Sequence, residues 1–208
     1  MARPRTLVSA LLGALLLSAS AAMAQESDWR GRNEVSVQGT GFFTKDSQGN
    51  GLTQHSTNTG GFLVSYRYHF YRWLAADASY GYDRNTQENL GSGGAFNIQS
   101  NLHQATGALA VALPWSAFKL NPFVLAGAGA LVFDPTGNAR QSVPGALSQT
   151  KAAFVYGGGV DFAVSKHVAV RAEYRGFVYN RPDFGLDPLN SNVTTHTAQP
   201  SAGLVFRF

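Results

Sequence analysis

A two-residue periodicity runs through most of this chain. It is clearest in residues 198–208, where Phe208, Phe206, Leu204, Ala202, Pro200 and Ala198 share one parity and Arg207, Val205, Gly203, Ser201 and Gln199 the other. Successive side chains of a β-strand point to opposite faces. The pattern therefore predicts a strand with one apolar face and one small or polar face, ending on an aromatic.

Seven further segments read as strands: 33–43, 59–70, 74–82, 98–113, 120–133, 154–164 and 168–178. In 59–70, Phe62, Val64, Tyr66, Tyr68 and Phe70 oppose Gly61, Leu63, Ser65, Arg67 and His69. In 168–178, Val168, Val170, Ala172, Tyr174 and Val178 oppose Ala169, Arg171, Glu173, Arg175 and Phe177. Segment 120–133 is apolar on both faces and leaves its parity open.

The connections alternate in length. Residues 44–58, 84–97, 134–151 and 180–195 are long, polar and rich in turn-forming residues, and read as loops. Tyr71-Arg72-Trp73, the stretch from Pro114 to Lys119, and Ser165-Lys166-His167 are short and demand antiparallel hairpins. Tilted strands of about eleven residues suit a bilayer crossing. An even strand count with long connections at one end and short turns at the other predicts an eight-stranded antiparallel up-and-down transmembrane β-barrel, all-β, with the long loops extracellular.

Composition agrees with an apolar outside and a small, polar inside. Charged residues are 13% of the chain, about half the share of a soluble domain, with 23 glycines. A soluble lipocalin-type barrel, the competing architecture, would have to enclose the Phe and Tyr faces and find a place for Arg67, Asp77, Asp161, Arg171 and Glu173 elsewhere.

The first residues carry Arg3 and Arg5, an apolar run from Leu7 to Leu17, and Ala22-Met23-Ala24. They predict a signal peptide over 1–24, leaving a barrel of 25–208. Without Arg3 and Arg5 the count is 14 Lys+Arg against 12 Asp+Glu, a net charge of about +2, which gives no reason to expect nucleic-acid binding. The absence of cysteine rules out a disulfide framework.

On these residues the chain resembles the outer membrane protein β-barrel domain family, in particular the small OmpA/OmpX-type barrels. The carrying segments are 168–175 (VAVRAEYR) and 203–208 (GLVFRF), which match the family's last two strands, with Asn121-Pro122-Phe123-Val124 and Gly127-Ala128-Gly129. The resemblance implies a place in the outer membrane, contact with its lipid and lipopolysaccharide, and an assembly signal at Phe206 and Phe208 for the barrel assembly machinery. A monomer is expected. For 120–133, hydrophobicity alone turns Phe123, Leu125, Leu131 and Phe133 to lipid, whereas related barrels suggest the opposite parity.

The expected function is non-enzymatic: a structural or surface-interaction role through four long loops, with a possible extracellular ligand there. A lipid A-modifying enzyme and a narrow channel are the alternatives. For an enzyme, His55-Ser56 is the adjacent pair to suspect, but a base must hold its nucleophile within about 3 Å and be oriented by a third group, and the sequence shows no such arrangement. The five histidines, His55, His69, His103, His167 and His196, lack metal-ligand spacing, and Gly157-Gly158-Gly159 lacks the helix of a phosphate cradle. No cofactor or metal is expected. Tyr66, Tyr68, Tyr80, Tyr82, Trp73 and Trp115 read as interfacial girdles.

The two three-residue turns also set register. If Phe70 pairs with Leu74 and Val164 with Val168, counting three residues on places Arg67 opposite Asp77 and Asp161 opposite Arg171, on the inward face. With Glu173 and Arg175 these residues are expected to form a polar network in the lumen.

Overall fold

The structure, a computed structural model, describes residues 32–44, 47–49, 52–56, 59–91, 94–114, 119–137, 147–180, 182 and 193–208. The expected signal peptide and Trp115 lie outside them.

In chain order the strands are β1 (Asn33–Thr44), β2 (Ser47–Gly49), β3 (Leu52–Ser56), β4 (Thr59–His69), β5 (Leu74–Gly91), β6 (Gly94–Ala112), β7 (Leu120–Pro135), β8 (Gln149–Ala163), β9 (Val168–Asn180) and β10 (Thr194–Arg207). All pairings are antiparallel. β1 pairs with β4, β4 to β10 pair in sequence, and β10 pairs back onto β1. The result is a closed eight-stranded barrel in which no barrel strand is left as an open edge. β2 and β3 form an extra hairpin at the long-connection end.

Closure carries an offset. Directly paired residues followed around the ring from Glu34 run through Arg67, Asp77, Ala108, Gly127, Val155, Phe177 and Thr197, and return to β1 at Thr44, ten residues from the start. With eight strands, that offset tilts the strands by about 40° to the barrel axis.

Alternation sorts the side chains as expected. On β1, Glu34, Ser36, Gln38, Thr40 and Phe42 are buried in the lumen, while Val37 is 50% exposed on the outer surface. The doubly apolar β7 resolves to the parity of related barrels: Phe123, Leu125, Leu131 and Phe133 are buried and Val124 faces out. Pairing decides what hydrophobicity could not. Phe123 and Leu125 lie opposite Gly159 and Gly157 of β8, whose other neighbours are Glu173 and Arg175 of β9. Each glycine thus leaves room for a large inward side chain on both sides. At Gly159 an added Cβ would fall 2.9 Å from the Phe123 ring and 2.5 Å from the Ala172 carbonyl oxygen, so even alanine is excluded without a shift of backbone.

Two expected loops contain strand. The 84–97 stretch continues as β5 and β6, paired up to Gly91 and Gly94. The 44–58 stretch holds β2 and β3, and β3 pairs with β5 from Thr53 opposite Leu90 to Ser56 opposite Gln87. Past the bilayer neither face of a strand has to be apolar, so a polar ribbon held by backbone pairing carries no alternation and reads as loop. β8 likewise begins earlier than expected, at Gln149.

Candidate functional site

The inward residues of the short-turn half form a connected set of ion pairs. Both three-residue turns are closed by backbone bonds, Phe70 N to the Leu74 oxygen at 3.0 Å and Val164 N to the Val168 oxygen at 3.0 Å. Counting from them puts Arg67 opposite Asp77 and Asp161 opposite Arg171. Arg67 Nε donates to Asp77 Oδ2 at 3.1 Å. Arg171 grips Asp161 with two donors, Nε to Oδ1 at 2.6 Å and Nη2 to Oδ2 at 2.8 Å.

Neither pair stands alone. Arg175 donates from Nη2 to Asp77 Oδ1 at 3.1 Å and from Nε to Glu173 Oε1 at 2.5 Å. This joins Arg67, Asp77, Arg175 and Glu173 into a quartet with two charges of each sign. Arg171 Nη2 also reaches Glu34 Oε2 at 2.9 Å, and Arg207 bridges Glu34 Oε1 and Asp161 Oδ2, each at 2.9 Å. Glu34, Asp161, Arg171 and Arg207 form a second balanced quartet.

Glu34 and Arg207 are the members that turn counting does not reach. They come from the first and last strands, which meet only when the ring closes. The signal that could have found them is inward parity at the same end.

Above the charged layer sits a layer of mostly uncharged polar groups. Gln38 donates to Glu173 Oε2 at 3.3 Å and accepts from Ser201 at 3.0 Å. Asp83, fully buried, is held by donors from Thr40 at 2.9 Å, Gln104 at 2.6 Å and Gln199 at 3.4 Å. Toward the long-connection end the lumen becomes apolar: Phe42, Leu102, Leu131, Phe133 and Phe177 are buried, with the Phe42 and Phe177 rings 6.3 Å apart. Tyr179, buried beside Phe133, shares a hydrogen bond of 3.0 Å with Thr197.

The remaining candidate residues are on the outer face or at the rims. Phe206 is 44% exposed, and its strand is locked to β1 by reciprocal backbone bonds of Asn33 and Phe208 at 3.1 and 3.0 Å. Tyr71 and Trp73 are exposed and stack with ring centroids 5.8 Å apart, at the short-turn end. Tyr80 and Tyr82 face out higher up, packed against Phe62. Around them Tyr82 and Arg84 both donate to Asn101 Oδ1, at 3.0 and 3.2 Å.

His103 and His196 each share a hydrogen bond with an outward tyrosine, Tyr80 at 2.7 Å and Tyr156 at 2.6 Å. His69 lies 3.3 Å from Glu34 Oε1. His167 is exposed in its turn, and His55 sits on β3 opposite Glu88 of β5. Among the described residues no group of three or more His, Cys, Asp or Glu is arranged to hold a metal ion.

Comparison with known proteins bears on the fold. The structure is similar to that of the outer membrane protein OprG of Pseudomonas aeruginosa, with a TM-score of 0.63 at 12% identity, covering 86% of this chain and 96% of that one. It is also similar to Neisserial surface protein A, with a TM-score of 0.60 at 14% identity over 87% and 100% of the two chains. Ail, the attachment invasion locus protein of Yersinia pestis, gives 0.51 at 16% identity over 86% and 100%. No curated protein matches the sequence. The model of the outer membrane protein beta-barrel domain matches residues 10–208, so with its closed ring, filled lumen and apolar outer face this chain belongs to the outer membrane protein β-barrel domain family.

Proposed function

We propose that this barrel is a non-enzymatic outer-membrane platform whose activity lies in the extracellular connections, with a structural or surface-interaction role. The observation that carries the reading is the cross-section of the lumen. Arg171, Arg175, Phe42, Phe133 and Phe177 are all fully enclosed within it, at three successive heights. A wall so filled leaves the ends as the working surfaces, and the extracellular end is the one the chain enlarges, with β5 and β6 extended and β3 added beside them. Binding residues concentrate on loops carried by rigid scaffolds. The names of two fold neighbours, a surface protein and an attachment invasion locus protein, are in keeping with this reading.

The barrel sits in the membrane as a monomer, its exposed Phe, Val and Leu band against lipid. Tyr82, Arg84 and Asn101 meet the lipopolysaccharide at the outer rim, and Phe206 and Phe208 are read by the assembly machinery during insertion.

The test is attachment of cells expressing the protein, to one another and to a host cell layer, with each of the four long connections shortened in turn. Loss of attachment with at least one shortened connection, at unchanged surface level, is the expected result. Attachment that survives every deletion would leave a structural role alone.

A further inference from the structure

The periplasmic mouth of the barrel holds a cavity of about 360 Å³, opposite in position to the extracellular connections. Its walls divide by chemistry. Trp73, Ala75, Ala110, Pro122 and Phe123 make an apolar side, while Arg67, Arg72, Lys166 and Arg207 bring cationic groups to the rest. We infer that this cavity binds a small organic anion, a phosphate or carboxylate head on a flat apolar body, entering from the periplasm.

The electrostatic part rests on which charges are already answered. The two acids on the cavity wall, Glu34 and Asp161, are both saturated: Glu34 by Arg171 and Arg207, Asp161 by the same two arginines. Arg72 and Lys166 are exposed at the tips of the β4–β5 and β8–β9 turns, on opposite sides of the eight-stranded ring. With no ion-pair partner among the described residues, they add positive charge from two directions. Deeper in, Arg67 is 3% exposed, yet its Nη2 has no hydrogen-bond partner. Buried donors are normally paired, and one left over at the wall of a cavity is a place for a ligand acceptor, reached by a small turn of the guanidinium. An anion here gains charge-assisted hydrogen bonds in a site partly shielded from water.

The apolar part rests on Phe123. Its ring is covered by the Arg67 guanidinium, 4.2 Å from the centroid, with that of Arg171 at 5.0 Å. That contact places the Arg67 guanidinium over the Phe123 ring in the cavity wall. Inorganic phosphate would leave the wall around Trp73 and Phe123 uncovered. The volume lies at the lower end of small-molecule sites, and above it the two ion-pair quartets close the lumen, so the site is blind and not a passage.

Phenyl phosphate titrated into the protein in lipid nanodiscs, followed by calorimetry, tests this. One saturable site per barrel is expected, weakened at least tenfold by the R72Q/K166Q double substitution. Lys119→Gln, which removes one charge from the same rim at a residue that does not line the cavity, should leave binding intact. Phenol and inorganic phosphate should each bind at least tenfold more weakly than phenyl phosphate. Absent saturation, an unaffected R72Q/K166Q variant, an equal loss in Lys119→Gln, or equal binding of either half-ligand would overturn the inference. Arg72 and Lys166 are solvent-exposed turn residues outside both quartets, so a failure of folding does not confuse the result.

Discussion

Arg171 and Arg175 are fully enclosed four residues apart on β9, and each is held by carboxylates on two different side chains. Taking a guanidinium out of water costs several kcal/mol, and the loss is offset only when partners and remaining donors are well satisfied. The grouping into quartets of zero net charge meets that condition and makes a definite prediction. Asp77→Asn leaves two arginines, Arg67 and Arg175, against the single carboxylate of Glu173, whereas the Arg67→Met/Asp77→Asn double variant leaves Arg175 balanced by Glu173. The double variant should be the more stable of the two by roughly 1–3 kcal/mol, measured by denaturant unfolding in detergent micelles. An additive cycle would mean that water enters and screens the pair. The opposed residues Arg67 and Asp77, and Asp161 and Arg171, were legible because a three-residue turn fixes register by counting. The bonds from Arg171 to Glu34, past the intervening β10, and from Arg175 to Asp77, across the lumen, were not, since the curvature of the closed ring decides which inward residues of unpaired strands meet.

At the scale of elements, β10 does two jobs. It closes the ring against β1 through a register running from Glu34 opposite Arg207 to Thr44 opposite Thr197, and it supplies Arg207 to the second quartet. Its final residue adds little to either. Phe208 lies past the end of the strand, and its contribution to closure is the pair of backbone bonds with Asn33, which alanine can make equally. Phe208→Ala should therefore refold into detergent with near-normal stability while its level in the outer membrane falls, read by heat-modifiable mobility on gels and by surface labelling. Equal membrane levels of variant and parent would remove the assembly role. β5 and β6 show the limit of reading elements from pattern. Their inner halves alternate because one side meets lipid and the other the lumen; from Asp83 to Asn89 β5 is polar at both parities, and only its pairing with β3 and β6 reveals a strand there.

The whole molecule is a barrel stopped at every height by a different chemistry. An eight-stranded ring with a ten-residue offset encloses a space just wide enough for side chains to fill. Here ion pairs fill it at the short-turn end, hydrogen-bonded glutamines and hydroxyls fill the middle, and aromatic and aliphatic groups fill the long-connection end. A hydrated ion entering from outside would first have to displace Phe42, Phe133 and Phe177, then the bonded layer around Asp83, then two neutral quartets that offer it no net charge. Each layer fails for a different reason, so no single substitution should open a path. Planar bilayers containing the purified protein are expected to show no stable conductance steps. Phe133→Ala should remain silent, because the polar and charged layers below it are intact. The same should hold for Asp77→Asn, because the apolar top is. Steps of porin size from the parent protein, or from either single variant, would mean that the lumen rearranges in the membrane, and the narrow-channel reading would then replace the platform.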